Sequence, residues 1–552
     1  MKAWGFIDNS NHHREGPMKK IFLATIILWL LVGGSVQAQS GRLANRNKAG
    51  LYVTRLDQVL RLQDDEVDLA TAALIASEHW SGIVPGRHYL EQLDAMALEI
   101  RARVVQQRHR MNHHAIPIIN DYLFNELGYS TISHADDPND LFLHSVMDGH
   151  QGYCLSLSVL YLALAERLGL PVYGVVVPGH FFVRYESGRI RFNIETTAGG
   201  ATPPDSHYLQ KFNVPNDGQH TLYMKNLTKR QSLGCFFNNL GNVYNDIGDL
   251  DTAQVALERA VEINPSLSES RANLGNIYLE KGRPEDAIRQ YRAALEMNPN
   301  DPKTHNNLGN GYMELEHHSF AVTSYRQSLA LDPNFVDAYR NLALVFTRTK
   351  HYANALSELR QAAALEPQNA DIYNHMGDLY LRLKQYQNAI THFQKALRFK
   401  RDSADAYSGL AQCYRQLGQT SNEIQAYKNA LVIEPNLLVA VVNLGNAYFG
   451  RKDFNSAVQY YLRAIELRPD DPWIHYNLGS AYSNASDFTE AILAYRQALK
   501  IDPDMGEAHH GLAYGLYMLR QYDLAWEHIS LAQKLGAEVS TEHVEAIRSQ
   551  LK

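Results

Sequence analysis

Four residues in the first 200 positions could together carry out nucleophilic catalysis at a carbonyl carbon. Cys154 stands at the start of an apolar stretch that predicts a helix. Unpaired amides and the helix dipole at that end stabilise a thiolate, which is the nucleophilic form of cysteine. His180 could serve as its general base, and either Glu195 or Asn193 could orient the imidazole. The pattern therefore predicts a thiol nucleophile, a base and an orienting partner.

The surrounding pattern predicts the elements that would position these side chains. Residues 154–168 are almost entirely apolar and are followed by Gly169, which predicts a helix that ends there. Residues 172–177 form a short apolar run, and His180 leads into a second strand with a turn and a returning strand at 189–195. Asn193 and Glu195 lie two positions apart, so both would face the same side of the returning strand.

Two further points concern the chemistry of this cluster. The backbone amide of Cys154 could hold an oxyanion, with the side chain of Gln151 as a second donor. The same cysteine and histidine also fit a structural role, because small buried Cys residues and turn His residues are common in folds. The spacing of these residues alone does not decide between a catalytic and a structural role.

The pattern predicts no metal and no cofactor. His109 and His113 are four apart, as paired zinc ligands on a helix are, but no Glu lies between them and no third ligand is evident. Asp136, Asp137 and Asp140 fit a turn-forming loop.

The segments around these residues resemble a known family. They are Gly152 to Ser158, Ala165 to Pro171, Pro178 to Arg184 and Asn193 to Thr197, with Asn120 to Tyr129 and Asp137 to Asp140 upstream. Together they resemble the bacterial transglutaminase-like superfamily. That resemblance implies a papain-like core and a Cys-His-Asp triad, with Cys154 as nucleophile and His180 as base. The family's aspartate falls on Glu195, and Asn193 is the alternative, because an amide orients the histidine in papain-like enzymes.

The second half of the chain is periodic. Prolines recur at multiples of 34 residues, at Pro265, Pro299, Pro333, Pro367, Pro435, Pro469 and Pro503. A Leu-Gly-Asn-x-Tyr pattern and small residues such as Ala287 and Ala294, with a large one between them, repeat in the same register. Period, proline and this alternation are typical of tetratricopeptide (TPR) repeats. We expect nine repeats over residues 234–539 and a capping helix over 540–552.

Asparagines recur at two positions of the predicted front helices. One set is Asn239, Asn273, Asn307, Asn341, Asn443 and Asn477, and the other is Asn242, Asn276, Asn310 and Asn446. The array resembles the TPR superhelix of O-linked N-acetylglucosamine transferases, which implies an inner amide ladder that binds peptide main chain. The alternative is that these amides form hydrogen bonds between adjacent hairpins.

The amino terminus predicts export. After a leader at residues 1–17, Met18, Lys19 and Lys20 open an apolar run that leads to small residues near Ala38, as in a signal peptide over 18–38. The alternative is an uncleaved membrane anchor. We expect the protein in the periplasm or cell envelope. Cys235 and Cys413 fall in distant repeats and cannot pair, which leaves an unpaired thiol at Cys154 to be explained.

A chain of 552 residues is too long for one hydrophobic core, so we expect two or more separately packed units. Hydrophobic residues make up 45%, charged residues 20%, and the net charge is -7, which gives no reason to expect nucleic acid as a partner. The predicted fold class is an α+β papain or transglutaminase-like domain over 40–230, followed by an all-α TPR superhelical solenoid. The predicted function is an exported cysteine peptidase, amidase or acyl transferase whose repeats bind a protein or peptide. The alternative is a non-catalytic interaction scaffold with a vestigial transglutaminase-like domain.

Overall fold

The computed structural model describes residues 49–212, 214 and 222–551, which form two compact units. The first unit contains the described residues up to 239, and the second contains residues 240–551. The predicted leader and signal peptide over 1–38 lie outside the described residues. Within those residues, no helix combines the length and apolar character needed to span a bilayer.

The first unit is a mixture of helices and short strands. Its helices are α1 (Leu56–Arg61), α2 (Leu69–Ser81), α3 (Gly86–Gln106), α4 (Ala115–Asn120), α5 (Leu143–Gly149), α6 (Cys154–Leu168), α7 (Asp205–Lys211) and the first part of α8 (Lys229–Asp246). Its strands are β1 (Ser130–Thr131), β2 (Gln151–Gly152), β3 (Val172–Val177), β4 (His180–Ser187) and β5 (Ile190–Ile194). Strands β1 and β2 pair in parallel, and β3, β4 and β5 form an antiparallel sheet in chain order.

Helix α6 is the central helix of this unit. Nearly all of its residues are buried, and it packs against α2, α3, α5, β3 and β4. The hydroxyl of Ser156 accepts a hydrogen bond from the Tyr153 amide at 2.9 Å and donates to the Asp140 carbonyl at 2.9 Å. At the other end, Gly169 has a φ of +71°, which a residue without Cβ adopts at no steric cost. The sequence interpretation of 154–168 as a helix ended by Gly169 is confirmed.

A buried cation fixes α6 to its neighbours. Arg167 is fully buried, and its Nε donates to Asp94 of α3 at 2.8 Å. Its Nη1 also lies 3.9 Å from Asp68, which precedes α2. Because a buried charge without a counter-charge is costly, this triad restricts how the three helices can pack.

The second unit is a run of helical hairpins. With α8, the hairpins from Lys229 to Lys534 number nine. The helices are α9 (Leu250–Ile263), α10 (Ser268–Glu280), α11 (Pro284–Met297), α12 (Pro302–Glu314), α13 (His318–Leu331), α14 (Val336–Arg348), α15 (Tyr352–Leu365), α16 (Ala370–Arg382), α17 (Tyr386–Phe399), α18 (Ala404–Gln416), α19 (Thr420–Ile433), α20 (Leu438–Gly450), α21 (Phe454–Leu467), α22 (Pro472–Asn484), α23 (Phe488–Ile501), α24 (Gly506–Met518), α25 (Tyr522–Lys534) and α26 (Thr541–Arg548).

Five of the hairpins pack a large ring of the back helix against a glycine of the front helix. The ring of Tyr325 is buried, and a Cβ at Gly309 would lie 2.5 Å from it, closer than atoms can approach. The absence of a side chain therefore sets the distance between the two helices. This contact explains the small and large residues that alternate along the repeats.

Candidate active site

Cys154, His180 and Glu195 come together in the first unit. Cys154 is the first residue of α6 and is 5% exposed. His180 is the first residue of β4, and its Nε2 donates to Oε2 of Glu195 at 2.8 Å. Nε2 of the ring faces this carboxylate, and the Cys154 side chain lies near enough to the ring to raise the pKa of His180. A thiol, an imidazole and a carboxylate are thus brought together.

The electrostatics of this series favour a charged imidazole. Burial acts to lower the pKa of His180, but hydrogen bonds and charges from Cys154 and Glu195 outweigh it and raise the pKa to about 9. Burial likewise acts to raise the pKa of Glu195, but its contacts with His180 and Thr197 hold it below the ordinary value. At neutral pH the site therefore contains an imidazolium next to the Cys154 sulfur and a carboxylate behind it.

Glu195 accepts more hydrogen bonds than the sequence pattern indicated. Its Oε1 accepts from the Thr197 amide at 3.1 Å and from the Thr197 hydroxyl at 2.5 Å. Its Oε2 accepts from the Tyr208 hydroxyl at 3.0 Å as well as from His180. The proximity of Thr197 in sequence could have suggested the first contact. Tyr208 belongs to α7, and no local signal links it to Glu195.

Asn193 has different partners. Asn193 pairs with Arg184 where β4 and β5 run side by side. Glu195 is the residue after β5, and it lies beside His180 at the start of β4. The Asn193 carbonyl accepts from Arg184 Nε at 2.7 Å, and its amide donates to Asp205 at 2.8 Å. The sequence left open whether Asn193 or Glu195 orients the imidazole. In the structure it is Glu195 that contacts the imidazole.

Aromatic rings cover His180. The ring of Phe212 is stacked on the imidazole with centroids 4.9 Å apart, and Tyr208 is stacked on Phe182 at 3.8 Å. These rings shield one face of the imidazole from water, which strengthens its hydrogen bonds. Gln151 lies on β2, three residues before Cys154, and is exposed. Its role as an oxyanion donor stays a prediction.

The histidines considered as metal ligands do not share a helix face. Helix α3 ends at Gln106, so His109 and His113 lie in the loop that follows. The ring of His114 is stacked on His109 at 5.2 Å and lies 4.0 Å from His113.

Asparagines of the second unit bond to one another across hairpins. Asn307 donates to Asn276 Oδ1 at 2.9 Å, and the Tyr291 hydroxyl donates to the same oxygen at 2.8 Å. The same arrangement recurs with Asn341, Asn310 and Tyr325. An amide oxygen has two lone pairs, so both of these oxygens are fully used inside the array. Asn276, Asn307, Asn310 and Asn341 thus form hydrogen bonds between adjacent hairpins. Binding of a peptide main chain by these four side chains stays a prediction.

The other predicted ladder residues have separate environments. The Tyr461 hydroxyl donates to Asn446 at 2.7 Å, Arg415 Nη1 donates to Asn443 at 3.0 Å, and Asn239 donates to the Cys235 carbonyl at 2.9 Å. The remaining three are partly buried on front helices, and they are Asn242, Asn273 and Asn477.

Comparison with family models assigns both units. Residues 87–228 match the transglutaminase-like superfamily. Matches to TPR and tetratricopeptide repeat models cover 241–282, 275–316, 306–370, 377–418, 404–437, 445–486 and 472–505.

Curated relatives match part of the chain. A UPF0162 protein of Xylella fastidiosa is 30% identical over 163 residues, which are 28% of this chain and 57% of the relative. A UPF0162 protein of Pseudomonas aeruginosa is 27% identical over 202 residues, 36% of this chain and 72% of the relative. The chain thus spans a little over half the length of the Xylella relative.

Solved structures also match part of the chain. Pseudomonas aeruginosa pilF is 21% identical, with 37% of this chain and 94% of that chain covered and a TM-score of 0.34. The C-terminal part of a TPR repeat-containing protein from Cytophaga hutchinsonii is 17% identical, with 43% and 98% covered and a TM-score of 0.39. With the family matches and the observed fold, the chain carries a transglutaminase-like domain followed by a run of TPR repeats.

Proposed function

We propose that this protein is a cysteine enzyme that hydrolyses or transfers the acyl groups of peptide or isopeptide amides. The observation that carries the proposal is the 2.8 Å contact between His180 Nε2 and Glu195, together with the neighbouring Cys154 side chain, which raises the pKa of His180. The position of Cys154 at the start of α6 supports it, because the helix dipole favours negative charge there. Amides are the bonds that such a series of groups cleaves.

The reaction has two stages. Cys154 Sγ attacks the amide carbon and forms a carbon–sulfur bond, and the carbonyl oxygen becomes an oxyanion. His180 then gives its proton to the leaving nitrogen as the carbon–nitrogen bond breaks, which leaves a thioester on Cys154. In the second stage His180 takes a proton from water or from an amine, which attacks the thioester and releases Cys154. Water as acceptor gives hydrolysis, and an amine gives acyl transfer.

The protein environment contributes orientation and charge. Glu195 holds the imidazole and stabilises its cationic form, while Thr197 and Tyr208 hold Glu195. The backbone amide of Cys154 is the proposed donor to the oxyanion of the intermediate that is bound to the Cys154 sulfur, and Gln151 is the proposed side-chain donor. Removing one oxyanion donor from such enzymes costs about 100- to 1000-fold in rate.

The repeats would bind the polypeptide on which the enzyme acts. TPR arrays generally mediate protein interaction, which supports this part of the proposal. We also propose export through the segment at 18–38, with the mature protein in the periplasm or cell envelope. Fractionation of cells that produce the full chain tests this location, and recovery of the protein in the cytoplasmic fraction would reject it.

The catalytic proposal is tested by labelling with a thiol-directed electrophile such as iodoacetamide at pH 7. We expect rapid labelling of the wild-type protein, its loss in Cys154→Ala, and a slower rate in His180→Ala. Cys413→Ala is the matched control, because Cys413 is buried inside the array. Mass spectrometry of proteins retained by Cys154→Ala in the source cell envelope would then identify substrates. If neither variant altered labelling or turnover, the protein would be a non-catalytic scaffold.

A further inference from the structure

A polar cavity in the middle of the second unit is lined by three cations and no acidic residue. Its volume is about 440 Å³. The lining residues come from α16, α18 and α20, the front helices of repeats five to seven, from the turn between α16 and α17, and from the start of α17. The cations are Arg382, Lys384 and Arg415. This concentration of positive charge contrasts with the net charge of -7 on the whole chain.

None of the three cations forms an ion pair with a carboxylate in the part of the chain that the structure describes. Other arginines of the array are paired, as Arg340 is with Asp337 at 3.2 Å. Two carboxyl groups interact with these cations at longer range, Asp378 with Arg382 and Glu423 with Arg415. Burial raises the pKa of Asp378 to about 6, so this group is still largely ionised at neutral pH. Three cations and two carboxyl groups leave an excess of positive charge, which attracts anions.

The geometry of Arg415 is set by a ladder residue. Its Nη1 donates to Asn443 Oδ1 at 3.0 Å, so the guanidinium is held toward the cavity wall that Asn443 lines. Gln412 and Gln416 add amide groups to the lining, and Leu381 and Val439 add apolar surface. A guanidinium held in place binds a carboxylate through two parallel hydrogen bonds.

We propose that this cavity binds an acidic segment of a polypeptide, with Arg382, Lys384 and Arg415 contacting its carboxylates. The volume is in the range of ligand sites and is far larger than one anionic group needs. The lining combines cationic, amide and apolar side chains. An acidic peptide offers a partner to each of them, because it carries carboxylates, main-chain amides and aliphatic carbons. The inference rests on the proposed function that the repeats bind polypeptide, and it names the chemical class of that partner.

The test is a fluorescence anisotropy titration of the full chain with a fluorescein-labelled decapeptide of alternating Glu and Ala. A peptide with Gln in place of Glu is the comparison. We expect the acidic peptide to bind at least about tenfold more tightly, and its affinity to fall with added salt. Each of Arg382→Gln, Lys384→Gln and Arg415→Gln should weaken binding about three- to tenfold, and the triple variant should abolish it.

Controls separate this inference from the catalytic proposal. Lys500→Gln on the exposed surface of α23 should bind the acidic peptide as the wild type does, and so should Cys154→Ala. Unchanged circular dichroism of the triple variant shows that the array is folded. Equal binding by the triple variant would overturn the proposal, as would binding of the Gln peptide but not the Glu peptide. Full displacement of the peptide by millimolar inorganic phosphate would also overturn it, because the cavity would then be a small-anion site.

Discussion

The chemistry of this protein depends on a single imidazole that lies between a thiol and a carboxylate. His180 stays charged until about pH 9 because Cys154 and Glu195 both favour the imidazolium. The longer side chain of Glu195 lets one carboxylate oxygen bind the histidine while the other caps the 3-10 turn at Thr196–Ala198. A glutamate at the family's aspartate position is therefore accommodated by this local turn.

Removing the charge of Glu195 should change the pH dependence of the thiol. A raised pKa means that the cationic form of His180 is present below about pH 9 and is lost as the pH rises through that value. In Glu195→Gln the imidazolium loses the carboxylate that stabilises it. The pH above which His180 no longer assists the labelling of Cys154, its alkaline limit, should therefore move down by about one to two pH units. The rate at pH 7.5 should fall about 10- to 100-fold.

Glu186→Gln is the matched control, because Glu186 lies near the end of β4 that is opposite His180. Labelling rates between pH 5 and pH 10 provide the measurement. An unchanged alkaline limit in Glu195→Gln would show that Glu195 does not hold the imidazolium.

Asn193 should matter for stability rather than for the imidazole. In Asn193→Ala the Nε of Arg184, a residue only 1% exposed, loses its acceptor. We expect the free energy of unfolding to fall by about 2–4 kcal/mol, because a buried charged donor is left without a partner. Urea denaturation measures this. Asn226→Ala, at an exposed hydrogen bond to Glu186, should cost less than about 1 kcal/mol, and equal losses would contradict the assignment.

At the scale of elements, histidines join the last three helices of the array. His509 of α24 and His528 of α25 approach with their Nδ1 atoms 2.9 Å apart, and His510 Nε2 lies 3.2 Å from His543 Nδ1 of α26. Each contact needs one nitrogen as donor and the other as acceptor, so at least one ring of each pair must be neutral. The attachment of α26 therefore depends on pH.

Acid should loosen the C-terminal helix. Burial and then the charge of His543 lower the pKa of His510, and burial and then His509 lower that of His528. The folded state thus holds these rings neutral, and its stability falls as the pH drops below the ordinary value of 6.5. Hydrogen exchange of α26, corrected for intrinsic rates, should be about three- to tenfold less protected at pH 5.5 than at pH 7.5. His510→Gln should reduce this difference, and equal protection of the wild type at both pH values would refute it.

At the scale of the whole molecule, the structure describes two compact units and three buried cysteines, which form no disulfide with one another. Cys154 and Cys235 belong to the first unit, and Cys413 lies in the core of the array. Burial and then Asp378 raise the pKa of Cys413 to about 12, so its thiol is unreactive while the array is folded. Cys154, in contrast, has the imidazole of His180 beside it.

Thiol counting should therefore distinguish the native and unfolded protein. With Ellman's reagent at pH 7.5 we expect one fast thiol in the native chain and three in concentrated guanidinium chloride. The fast thiol should disappear in Cys154→Ala. Two or three fast thiols in the native protein would contradict the burial of Cys235 and Cys413, and none would contradict activation of Cys154.

Local patterns sufficed for much of this fold. The 34-residue period predicted helical hairpins because each repeat packs only against its neighbours, so its structure is encoded nearby. The helix at 154–168 and the strands that carry His180 and Glu195 were also evident from apolar runs and glycines. The candidate nucleophile, base and acid could thus be named from their order along the chain.

Which of these side chains meet follows from packing between segments that are far apart in the chain. The β4 and β5 register directs Asn193 to Arg184 and leaves Glu195 for His180, and a slip of one residue would reverse the faces. Tyr208 reaches Glu195 from a later helix, and the cation cavity joins three separate repeats. Hydrogen bonds form only when atoms lie within about 3 Å, and those distances are set by the packing of distant segments. Local sequence patterns were therefore enough to predict the elements and the reactive groups, whereas the partners of those groups depend on contacts that no local pattern encodes.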